Sequence, residues 1–367
     1  MEEKEILKEL IALKSYSERE NEGIINYLIS KFSKFSDEII KVKCENDERE
    51  NLIIGVNTKL KNVSGAIVLS GHIDTVVANE KEYATNPYIA TENNGKLFGL
   101  GTIDMKSFFA CILKNIEKLK ALSIPVIIVA TSDEETSLTG AQVISKELKE
   151  LNIKPKLTIV GEPTNFSVCT QAKSCMDNEI IVYGKSCHSS MPQNGINSNY
   201  IASRLMLYIE KLCKKFKGTV LNSNVVCGGE KVNIVPSQTR IKFNIRSKSR
   251  ANSEKALNLL KKFAKKLEKR YVGSKIEFTT HLNILPLEKR KSTLINSILK
   301  KFNLEESSFP AGCEAGFYAQ VCGGDAIVFG VGDLALAHKP NEFVVICELE
   351  RYCKLLFEVV SYVQNLN

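Results

Sequence analysis

His72 and Asp74 stand two residues apart at the end of the apolar run Ala66-Ile-Val-Leu69. In an extended chain positions i and i+2 face the same way, so ring and carboxylate can share one side of a strand end. Imidazole is the commonest metal ligand at neutral pH, and a nearby carboxylate can fix its tautomer and orientation. The arrangement recurs along the chain. Val126–Val129 leads to Asp133-Glu134-Glu135, Leu157–Val160 leads to Glu162, and Ala326–Phe329 leads to a glycine-bearing loop that reaches His338. Asp104 follows Gly99-Leu-Gly-Thr-Ile and directly precedes a helical pattern. Any one of these acids alone is an ordinary turn or cap residue; what counts is that four such groups follow short apolar strands and a fifth residue, Asp104, stands just before a helix.

Two imidazoles and several carboxylates, with no Cys among them, suit zinc, cobalt or manganese in a hydrolytic site. One zinc ion needs about three protein ligands, whereas five candidates point to two ions sharing a bridging carboxylate. Glu134 and Glu135 are adjacent, so the sensible division is one ligand and one general base. Spacing alone leaves open which is which. Gly99 and Gly101 superficially match a dinucleotide fingerprint, but Asp104 stands where its third glycine belongs, so that reading fails.

The elements that must position these residues alternate. Amphipathic patterns at residues 4–14 and 22–35 precede apolar strands at 52–56 and 66–69. A helix over 106–119, a strand over 125–130, a helix over 140–151 and a strand over 157–160 follow. Short β-branched runs separated by helices indicate an α/β sheet covered on both faces, whose ligands gather at the carboxyl ends of parallel strands. The rhythm changes after about residue 172. Partly alternating strands at 178–183, 219–227, 238–245 and 275–279, with long helices at 199–216 and 252–271, suggest an inserted α+β domain. The α/β rhythm returns with a helix at 292–302, a strand at 325–329 and a helix at 348–364. The expected boundaries are 1–172 and 282–367 for the catalytic domain and 173–281 for the insertion.

A chain of 367 residues favours two domains. No apolar run is long enough to span a bilayer, and the acidic N-terminus is unlike a secretory leader. The net charge of +8 is carried by lysines on amphipathic helical patterns, which read as solvated faces; no nucleic-acid or membrane partner is expected. Eleven cysteines without a CxxC pair point to free thiols in a reducing cytoplasm, with Cys111, Cys213, Cys347 and Cys353 read as small hydrophobes.

Ser70-Gly-His-Ile-Asp-Thr-Val76, Gly99-Leu-Gly-Thr-Ile-Asp-Met-Lys106, Asp133-Glu-Glu-Thr136, Gly161-Glu-Pro-Thr164, His188-Ser-Ser190 and His338-Lys-Pro-Asn-Glu342 closely resemble the dinuclear-zinc M20 metallopeptidase family. The resemblance implies a zinc-exopeptidase-like catalytic domain with a mostly parallel sheet and an inserted lid and dimerisation domain. It further implies two Zn²⁺, with Co²⁺ able to substitute: His72 and Glu162 on one, Glu135 and His338 on the other, and Asp104 bridging. Glu134 then becomes the general base and Asp74 the partner behind His72, with a cis peptide after Asp104. His188 matches a residue that polarises the scissile carbonyl in a neighbouring copy, and Asn233 and Arg246 match substrate contacts. Departures at Ile73, Leu100, Ser107 and Cys187 remove no ligand.

Gly312-Cys-Glu314-Ala-Gly-Phe-Tyr318 and Gly332-Asp-Leu-Ala-Leu-Ala-His338 resemble the acetylornithine deacetylases within that family. The reaction implied is removal of acetyl from N2-acetyl-L-ornithine, a step of arginine biosynthesis, with Glu314 facing the cationic end of this small N-acylated substrate. A desuccinylase, acylase or dipeptidase of the same fold is the nearest alternative. A non-catalytic binding protein would have no use for the ligand set or Glu134.

Overall fold

The computed structural model describes residues 2–17, 20–44 and 48–366. It contains two compact units, one formed by Met1–Ala172 with Lys289–Asn367 and the other by Lys173–Glu288. The expected boundary after residue 281 falls inside strand Lys275–Ile284. Pairing of that strand with Cys175–Tyr183 continues to Ile284, which carries the inserted unit further along the chain.

The first unit is built on an eight-stranded sheet in the order Glu38–Lys43, Glu50–Val56, Val126–Thr131, Ser64–His72, Lys154–Val160, Asp325–Val328, Val168–Ala172, Glu306–Phe309. Val126–Thr131, Ser64–His72, Lys154–Val160 and Asp325–Val328 are parallel neighbours. Their register sets His72 opposite Thr131 and Ser70 opposite Val160, so these strands finish level at one edge. The apolar runs are continuous because both faces are covered. Leu52, Ile54, Ile67, Leu69, Val126, Ile128, Leu157 and Ile159 join one core with side chains from helices Glu3–Ala12, Glu22–Phe32, Lys106–Lys114 and Ile346–Gln364. The alternate residues Ile53, Val68, Ile127 and Val129 point to the other face and are equally buried. Each such side chain contributes about 1.5–3 kcal/mol by leaving water.

The helix expected over 106–119 is broken into Lys106–Lys114 and Ile116–Lys120. Asn115 sits at the break and its buried amide donates to the carbonyls of Cys111 and Cys353, tying this element to the last helix. Periodicity alone does not register a side chain that satisfies backbone groups of two helices.

The inserted unit is an antiparallel sheet in the order Thr219–Gly228, Gln238–Ser247, Cys175–Tyr183, Lys275–Ile284. Buried and outward residues alternate along Gln238–Ser247. Helices Ser198–Lys215 and Arg250–Arg270 share its core, with the rings of Tyr208 and Phe263 stacked at 4.1 Å. Lys214, Lys215, Lys261, Lys262, Lys265 and Lys266 are exposed. Among the described residues no helix is long and apolar enough to cross a membrane.

Candidate metal centre

Strand Ser64–His72 ends on the imidazole itself, fully buried. Its Nδ1 lies 3.0 Å from the backbone carbonyl of Asp74. A proton on Nδ1 would leave the Nε2 lone pair directed away from that carbonyl. Nε2 lies 2.9 Å from Asp104 Oδ1 and 3.7 Å from Glu162 Oε1. The other oxygen of Asp104, Oδ2, is 3.4 Å from His338 Nε2, which is 2.8 Å from Glu135 Oε2. Two donor groups result, His72–Asp104–Glu162 and Asp104–Glu135–His338, each with its ligand atoms within 4.8 Å of one another. Asp104 belongs to both and presents a different oxygen to each histidine. The peptide from Asp104 to Met105 is cis.

The turn carrying Glu134 and Glu135 is held from two sides. The Asp74 carboxylate accepts the Glu134 N–H at 3.2 Å, the Glu135 N–H at 3.3 Å and the Ser17 hydroxyl at 2.7 Å. Asp74 stands behind His72 with its carbonyl 3.0 Å and its carboxylate Oδ1 3.7 Å from Nδ1, and the same carboxylate also steadies the glutamates. On the other side Asp133, at φ +66°, accepts from the hydroxyls of Thr136, Ser137 and Thr139 and pairs with Arg49 Nη1 at 2.8 Å. These bonds hold Asp133 in a left-handed backbone that most residues avoid.

Other supports lie beneath. Glu342 is buried, and its carboxylate faces the Gly101–Asp104 turn. The Lys106 ammonium donates to the carbonyls of Leu10 and Leu13 at 3.0 and 2.8 Å. Burial pushes Lys106 down to about 7 and Glu342 up to about 7. Lys106 and Glu342 lie inside motifs visible in the sequence, whereas nothing local marks Arg49 or Ser17.

Glu314, expected to face a cationic substrate end, is instead enclosed in the core. Its carboxylate is fully buried, with Oε2 2.8 Å from the Ser70 hydroxyl and Oε1 accepting from Thr131. The Ser70 oxygen is also 2.8 Å from the Tyr318 hydroxyl. With both oxygens engaged inside the core, Glu314 braces strands Ser64–His72 and Val126–Thr131 and is not an open anion for an amine. In the inserted unit His188 is exposed, its Nδ1 2.7 Å from Ser190 Oγ, and the Ser189 N–H donates to the Asn233 carbonyl. Arg246 lies on strand Gln238–Ser247 opposite Val220. His281 is exposed, 3.6 Å from Glu179.

The electrostatics call for cations. Burial, then the charge of Glu162, raises Glu134 well above the ordinary carboxylate range; burial, then Asp104, does the same to Glu162. Burial opposes protonation of His72, yet the hydrogen bond to Asp104 and the charges of Glu162 and Glu134 hold its pKa well above the usual imidazole value. Glu162 Oε1 is buried without a hydrogen-bond partner, a costly state for a carboxylate oxygen unless something else is to bind it. A divalent ion in each group would satisfy that atom and offset the crowded charge. Nitrogen and oxygen donors of this kind fit such ions.

The description "Peptidase family M20/M25/M40" matches residues 68–362. Similar curated proteins include the acetylornithine deacetylases of Aliivibrio salmonicida, 29% identical with 97% of each chain covered, and of Proteus mirabilis, 28% identical with 97% of this chain and 95% of that one covered. Among solved structures, the aminopeptidase PepT of Bacillus cereus superposes with a TM-score of 0.79 at 20% identity over 98% of both chains. A dinuclear metal-binding M20 peptidase of Bacillus subtilis gives 0.67 at 15% identity over 98% of this chain and 96% of that one. These two share the fold. The family match over most of the chain, together with the paired donor groups at the sheet edge, leads to one conclusion: this chain belongs to peptidase family M20/M25/M40, a family of metal-dependent hydrolases of amide C–N bonds.

Proposed function

We propose that this hydrolase removes the acetyl group from N2-acetyl-L-ornithine, yielding L-ornithine and acetate. The observation that carries the chemistry is Asp104, offering one oxygen to the His72–Glu162 group and the other to the Glu135–His338 group. The substrate rests on near full-length similarity to relatives named acetylornithine deacetylase.

His72, Glu162 and Asp104 would hold one ion, and Glu135, His338 and Asp104 the other. Zinc suits this donor set, and cobalt accepts similar ligands. Bound there, the ions supply Lewis-acid polarisation of the amide carbonyl. Glu134 takes a proton from the attacking water and returns it to the leaving amine. Its raised affinity for a proton suits that task, and Asp74 fixes its backbone. In the inserted unit, Arg246 would grip the substrate carboxylate through its bidentate fork, with Asn233 as a further contact. His188 would serve the site of a neighbouring copy in a homodimer formed through this unit. The eleven free thiols fit a reducing, cytoplasmic setting.

A substrate panel tests this reading. The zinc-loaded protein should turn over N2-acetyl-L-ornithine at least tenfold faster, by kcat/KM, than N-succinyl-diaminopimelate or simple dipeptides. Preference for a succinylated substrate or a peptide would replace the proposed substrate and leave the hydrolytic chemistry standing.

A further inference from the structure

Glu342 is 2% exposed, and its carboxylate oxygens are committed to one short turn. Oε1 accepts the Ile103 N–H at 2.8 Å and the Asp104 N–H at 3.3 Å, and lies 3.3 Å from the Thr102 hydroxyl. Oε2 accepts the Gly101 N–H at 3.2 Å. The Glu342 backbone carbonyl takes the Gly99 N–H at 3.0 Å. One side chain thus gathers successive donors of the segment that ends in Asp104. Gly101 makes this path feasible, since its φ of +81° lies where residues with a side chain are strained. Glu342 also follows His338 by four residues, so a single loop supplies both an imidazole beside Asp104 Oδ2 and the anchor for the Asp104 backbone.

We infer that Glu342 is a positioning residue that aims Asp104 at both donor groups at once. Its oxygens are occupied by the turn, so it touches neither substrate nor ion and acts through Asp104. Charge-assisted bonds to backbone N–H groups are the stronger kind, and a ligand that must serve two ions tolerates little displacement. Loss of the carboxylate frees the turn, and Asp104 then no longer holds one oxygen toward each histidine. The inference rests on the two-ion reading of the site.

The test is metal binding by the purified full chain after removal of metal by chelation. Zinc is titrated calorimetrically, and the visible spectrum is recorded with cobalt, for wild type, Glu342→Gln and Glu342→Ala. Wild type should bind two ions. Glu342→Ala should bind zinc about 10- to 100-fold more weakly, the range for loss of a residue that orients a ligand, with an altered cobalt spectrum. The Gln variant keeps one carbonyl acceptor and should fall between. In turnover of N2-acetyl-L-ornithine, kcat should fall in the same order with KM changed by less than about threefold, because substrate binding is untouched. Should the Ala variant fail to fold, the isosteric Gln variant decides. Wild-type affinity, stoichiometry and cobalt spectrum in folded Gln and Ala variants would overturn the role of Glu342 alone. A wild-type chain that binds no metal would overturn the two-ion reading beneath it.

Discussion

Glu134 is crowded by Glu162 and Glu135, and burial with their charge raises its carboxyl well above 4.5. A general base in such surroundings readily accepts the proton that an attacking water must lose. Replacing it by Gln keeps size and hydrogen-bonding shape but removes the basic oxygen. Glu134→Gln should lower kcat about 10²- to 10⁴-fold while the protein retains its bound metal. Near wild-type turnover with metal retained would remove Glu134 from that role. His72, Asp104, Glu162 and His338 are legible as candidates because their types are narrow and each follows a readable strand or precedes a readable helix, whereas only the family resemblance separates Glu135 from Glu134. Asp74 is legible as the residue beside His72 but not in its hold on the glutamates, since a carboxylate that accepts backbone N–H groups leaves no sequence pattern. Glu314 misled because an acid in a loop suggests solvent, whereas Ser70 and Thr131, far away in sequence, close around it.

The strands deliver ligands to one edge, and close approach of side chains behind that edge keeps them there. Gly161 precedes Glu162, and a Cβ there would lie 2.1 Å from the ring of the buried Phe108. The ring cannot yield cheaply in a packed core. Gly161→Ala should therefore cost about 1–3 kcal/mol, read as a lowered thermal midpoint. Combined with Phe108→Ala, which removes the ring atoms in the way, the two losses should total less than the sum of the single ones. An unchanged midpoint in the single variant would show that the contact is not tight. The continuous runs at 66–69, 125–130 and 157–160 announced central strands, whereas Val168–Ala172 and Glu306–Phe309 were not recognised. Both are short and mixed in composition, so their identity comes from pairing, Val168–Ala172 with Asp325–Val328 and with the edge strand Glu306–Phe309. Cys347, read as a small hydrophobe in an apolar stretch, is exposed because it faces outward from the first turn of the last helix.

At the scale of the whole molecule, the change of strand pattern near residue 172 marked the start of the inserted unit. Its far end was harder to read, because Lys275–Ile284 is too polar for its last residues to register as strand. The six motifs are dispersed over the chain, and long-range pairing within the first unit brings His72, Asp104, Glu135, Glu162 and His338 together. In the proposed reaction, two ions sharing Asp104 drive deacetylation. The most direct test follows hydrolysis of N2-acetyl-L-ornithine while the chelated protein is titrated with zinc. Turnover should be absent without metal and should rise to a plateau at two equivalents per chain. Undiminished turnover in the fully chelated protein, or a plateau at one equivalent, would contradict a two-ion reaction.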